Sequence, residues 1–109
     1  MLEAIKRLLA DVWDLIKKIF VAIFSFIENI RNFFRDPSRL RKLQENQNRI
    51  AVSIKEKLDN GDYQVVNCLY DEVDEKLVSP ETDCEAVTSQ QLDKETKEVF
   101  GRKSMLVVK

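Results

Sequence analysis

The stretch LEAIKRLLADVWDLIKKIFVAIFSFIENIRNFF, Leu2 to Phe34, decides how this chain is read. At about 100° per residue, Glu3, Lys6, Arg7, Asp11, Asp14, Lys17, Lys18, Ser25, Glu28, Asn29, Arg31 and Asn32 fall within one arc of roughly 160°. The opposite arc holds Leu2, Ile5, Leu8, Leu9, Val12, Leu15, Ile16, Ile19, Phe20, Ile23, Phe26, Ile27, Ile30, Phe33 and Phe34. This pattern predicts a single amphipathic helix from about Leu2 to Arg35, about 50 Å long. Trp13, Val21 and Phe24 stand at the border of the polar arc or inside it. Around Phe20 to Phe26 the helix would therefore be apolar almost all round and would want cover on more than one side.

Three covers are open to such a stripe: a membrane interface, identical helices in a bundle, or the rest of the chain. Each large side chain buried contributes roughly 1.5–3 kcal/mol before ordering costs. The polar face carries six cations against four anions, a mild attraction to anionic lipid. Only nine residues separate Lys18 from Glu28. A transmembrane span of about twenty mostly apolar positions is therefore not expected, and no secretory signal is recognisable either.

Asp36-Pro37-Ser38 is the first break. Asp36 suits an N-cap and Pro37 the first helical position, so a second helix is predicted from about Pro37 to Leu58. Leu40, Leu43, Gln47, Ile50 and Ile54 recur at spacings of three and four, a narrow seam of coiled-coil type with Gln47 as a register-setting polar position. Asp59-Asn60-Gly61-Asp62 then supplies turn residues. Beyond it the period changes. Tyr63 to Tyr70 reads as a strand, with shorter strands over 76–79, 85–88 and 104–108. Gln90 to Phe100 reads as a helix, capped by Ser89 and ended by Gly101.

The expected fold class is α+β: a long N-terminal amphipathic helix, a short joint, a coiled-coil-like second helix, then a small three- or four-stranded sheet with one helix. The expected domains are a helical assembly or attachment region, 1–60, and a small acidic module, 61–109. Charge divides in the same way. Residues 1–60 hold twelve Lys/Arg against eight Asp/Glu, and residues 61–109 hold six against eleven.

The chain has no histidine, which removes the commonest general base and metal ligand. Cys68 and Cys84 match no zinc or redox spacing, and buried free thiols are favoured over a disulfide. The acidic cluster Asp71, Glu72, Asp74, Glu75, Glu81, Asp83 and Glu85 lacks the spacing and glycine of a calcium loop. The basic run Arg31, Arg35, Arg39, Arg41, Lys42 and Arg49 carries no nucleic-acid motif. No catalytic, metal or cofactor residues are assigned, and nucleic acid is disfavoured as a partner.

The function expected from these readings is a non-enzymatic, self-associating scaffold or adaptor. The first helix would mediate homo-oligomerisation or peripheral membrane attachment through Trp13, Ile16, Phe20, Ile23, Phe24, Phe26, Ile27, Ile30, Phe33 and Phe34. The C-terminal module would offer its acidic face to a protein partner, in a cytoplasmic setting. The alternatives are a compact binding module with the first helix as its own core, and a membrane-disrupting helix fused to a regulatory unit.

Overall fold

The computed structural model describes residues 1–108. Neither long helix is present. Helix α1 spans Leu2–Asp11 and stops. After a tight turn at Trp13–Leu15, the chain extends into strand β1, Lys17–Phe24. A wide helical turn of π-type spacing, Phe26–Arg31, runs into the short helix α2, Asn32–Phe34. Helix α3 covers only Pro37–Glu45. The second half of the expected coiled-coil helix is strand β2, Arg49–Lys57, which forms a hairpin with β3, Tyr63–Asp71. Strand β4 (Lys76–Leu77), helix α4 (Pro80–Asp83), strand β5 (Glu85–Leu92), helix α5 (Lys94–Phe100) and strand β6 (Met105–Val107) complete the chain.

The sheet has six strands rather than three or four. Its order is β1-β5-β3-β2-β6, with β4 pairing on β3. β1 lies parallel to β5, and the remaining pairs are antiparallel. Strands from 1–60 and from 61–109 thus share one sheet.

Both corrections have a physical cause. Residues four apart share a face in a helix and also in a strand, so Ile50 and Ile54 satisfy either period. Val52 separates the two: it would leave the helical seam, yet in β2 it packs beside Ile54 in the same core. Likewise KKIFVAIF is a short apolar run rich in β-branched and aromatic residues, which periodicity alone cannot assign. Pairing with β5 supplies its backbone partners and settles it as a strand.

Both faces of the sheet are covered. On one, Phe24, Ile30, Phe33, Phe34, Leu43 and Phe100 pack over Ala51, Val65, Leu69 and Val87. Phe33 and Phe34 meet edge to face, with ring centroids 4.9 Å apart. On the other, Ile5, Leu9 and Ile16 pack over Val52, Ile54, Val66, Cys68, Tyr70 and Ala86. β3 is therefore buried almost from end to end, as expected of a strand covered twice.

Local signals place the short helices. Asp36 caps α3, its Oδ1 accepting from the N–H of Ser38 and Arg39 at 2.9 and 3.3 Å, with Pro37 in the first turn. Helix α5 is capped by Asp93, not Ser89, which is buried in β5. Thr96 then ties α5 to the end of β1. Its hydroxyl accepts from Phe26 N–H at 2.8 Å and lies 3.4 Å from the Phe24 carbonyl. Asp83 accepts from Lys42 Nζ and forms an ion pair with Arg39, whose Nε lies 3.3 Å away, so α3 is tied to α4 by a nearly enclosed carboxylate. Arg39 also stacks on Phe33, 3.8 Å from the ring centroid, and donates to the Thr82 carbonyl at 2.9 Å.

Removing Asp83 takes from Lys42 its carboxylate and leaves the mostly covered Arg39 only Asp36, 3.9 Å away. D83A is expected to cost about 3 kcal/mol in urea unfolding. The Asp93 carboxyl lies below the usual carboxylate range, held down first by the Thr96 hydroxyl and then by the Thr96 N–H. Its contribution is complete above the ordinary carboxylate range and is lost as pH falls through the lowered folded-state value. D93N keeps a capping oxygen without that titration, so its thermal midpoint should fall less between neutral and acid pH than that of the parent chain.

Candidate functional site

β1 is the outermost strand of the sheet, and among the described residues no strand pairs with its outer side. Natural sheet edges are protected by charge, proline, bulges or brevity. The opposite edge follows that rule, since β6 has three residues. β1 has eight, and Ile19 to Phe24 contains no charge, proline or glycine. Within it Phe20 is 60% exposed and Ile23 57%. The alternation slips at Ala22–Ile23 and Gln90–Gln91, each a run of two exposed residues. Phe24 and Leu92 then turn into the same core as Val21 and Val87. The slip leaves Ile23 in the open.

A cross-strand row that is polar beyond Phe20 leads inward from this edge. Phe20 stands opposite Thr88, Thr88 opposite Gln64, and Gln64 opposite Glu56, one row across the sheet on the α1 face. The inner end of that row, with Ile54 and Val66, floors a cleft of about 420 Å³ walled by Lys6, Leu9, Ala10 and Trp13. Lys18 fastens the start of β1 to this wall. Its ammonium donates to the Trp13 carbonyl at 2.6 Å and lies 5.2 Å from the indole centroid.

The expected interface residues divide between core and surface. Ile16, Phe24, Ile30, Phe33 and Phe34 are buried within the chain, and Phe26 is half-buried against the same core. Trp13 is half-buried in the cleft wall. Phe20, Ile23 and Ile27 remain exposed. These residues therefore share no helical face, being divided among the turn at Trp13–Leu15, strand β1, the wide turn Phe26–Arg31 and α2. Of the seam positions, Leu40 and Leu43 lie on α3, Gln47 in the following turn, and Ile50 and Ile54 on β2, so they form no common seam.

Several charged residues have structural partners. Asp71 Oδ1 accepts from Val73 and Asp74 N–H at 2.9 and 2.8 Å and shapes the β3–β4 turn. Asp83, Arg39 and Lys42 are spent on one another. No group of three His, Cys, Asp or Glu residues that could hold a metal ion occurs among the described residues.

Cys68 and Cys84 are free and buried, and they face each other across β3 and the start of β5, one position beyond the pair Asn67–Glu85. The Cys68 thiol is pushed well above its ordinary range, first by its hydrogen bond with Cys84 and then by burial. A thiol so held is a poor nucleophile. Ellman's reagent is therefore expected to detect neither cysteine in the native protein and both after unfolding in guanidinium.

What this arrangement can do is accept a strand: backbone donors and acceptors along β1, with apolar side chains to cover. Comparison with protein-family models, with curated proteins and with solved structures gives no match.

Proposed function

We propose that this chain is a non-enzymatic interaction module that self-associates by strand addition along β1. The observation that carries this reading is the open, uncharged edge from Ile19 to Phe24 with Phe20 and Ile23 exposed. Adding a strand satisfies the outward backbone groups and removes both side chains from water.

A second copy fits the edge in one orientation. Antiparallel pairing sends Lys17 and Lys18 of the two copies to opposite ends, each beside the uncharged end of its partner. Parallel pairing in register would stack four ammonium groups together, and like charges directly opposite are destabilising. Antiparallel pairing is also isologous, so the contact closes at two copies. Self-association through a helix has lost its basis, because the residues that would have formed the stripe are divided between core and edge. No helix among the described residues is long and apolar enough to cross a membrane.

Sedimentation equilibrium from about 1 to about 100 µM tests the reading. The parent chain should shift from monomer to dimer across that range. F20K/I23K should remain a monomer with an unchanged far-ultraviolet spectrum, because both positions face water in the isolated chain. A parent chain that is monomeric throughout, or a variant that dimerises equally well, defeats the proposal.

A further inference from the structure

A second cavity, of about 290 Å³, opens on the face of the sheet opposite the Trp13 cleft. Its floor is apolar and belongs to the core: Phe34 on α2, Leu43 on α3 and Ala51 on β2, all buried. Leu40 and Val108 rise beside it, 42% and 36% exposed. At its rim stand Arg31 and Arg35, both exposed.

These two arginines differ from their neighbours. Arg31 and Arg35 are both in helical conformation and four residues apart, so they project from one face. Two cations so placed repel. Arg39, the next at that spacing, is matched by Asp83. Neither Arg31 nor Arg35 makes an ion pair among the described residues. A pair of unmatched guanidinium groups above an apolar floor complements a ligand with one anionic end and one hydrocarbon end. The planar guanidinium fork matches a carboxylate with two parallel hydrogen bonds. The volume lies at the small end for ligand pockets, which suits a short chain.

We infer that this cavity binds a small carboxylate amphiphile, its carboxylate held by Arg31 and Arg35 and its hydrocarbon laid between Leu40 and Val108 above the floor. The anion relieves the repulsion between the arginines, and the hydrocarbon covers the exposed side chains of Leu40 and Val108. Both ends are needed. Acetate has no tail to bury, and octanol has no charge to match.

Calorimetric titration of the full chain with octanoate, octanol and acetate tests this. Octanoate should bind saturably, and octanol and acetate should each bind at least about tenfold more weakly. R31E/R35E should weaken octanoate at least about tenfold, while R31K/R35K keeps the charge and most of the affinity. Trp13 fluorescence should stay constant through the titration, because the indole lies on the other face. Absence of saturable octanoate binding, octanol binding as tight as octanoate, undiminished binding to R31E/R35E, or saturable quenching of Trp13 would each overturn the assignment. The comparison of octanoate with octanol uses the parent chain alone and stands whether or not the variants fold. None of these outcomes depends on β1 pairing.

Discussion

β3 runs through the middle of the sheet with apolar side chains on both sides, so both faces must be roofed. The N-terminal half of the chain builds most of both roofs. α1 covers one face with Ile5 and Leu9, and 26–45 covers the other with Ile30, Phe33, Phe34 and Leu43. The chain must therefore pass from one face of the sheet to the other, and β1 is the passage. It crosses at the margin, hydrogen-bonded to β5 on its inner side. An eight-residue strand with an open outer edge is the consequence of that crossing.

The cores on the two faces are not equally closed. The phenylalanine side is packed with aromatic rings, tied by Thr96 and Asp93, and opens into the smaller cavity beside Phe34. The α1 side ends in the Trp13 cleft, because a ten-residue helix is shorter than the surface it lies on. The cross-strand row from Glu56 through Gln64 and Thr88 to Phe20 connects that cleft with the edge. Incomplete roofing and the open edge thus fall on one continuous region.

Charge follows the same economy. Where a cation meets a carboxylate across the fold, as Arg39 and Lys42 meet Asp83, it fastens α3 to α4. Arg31 and Arg35 stand above an apolar cavity and meet no acidic side chain among the described residues. Sequence composition counted these residues as one basic run. The fold divides them by whether an acidic side chain comes within reach.

Punctuation was legible in the sequence. Asp36-Pro37 starts a helix, Gly61 sits in a hairpin turn with a positive φ of 91°, and Gly101 ends α5. These are local effects, fixed by one or two residues and their own backbone. The amphipathic character of the first 34 residues was legible as well, as was the need to cover it. Its conformation was not. An apolar run such as Ile19 to Phe24 satisfies a helix or a strand until a partner strand claims its backbone, and that partner lies some seventy positions away in β5. Phe20 and Phe24 look alike in the sequence, yet one is 60% exposed and the other fully buried, because the slip in β1 and the position of α5 separate them. The residues themselves determined that an oily surface had to be hidden. Only long-range strand pairing decided which part of it stays outside.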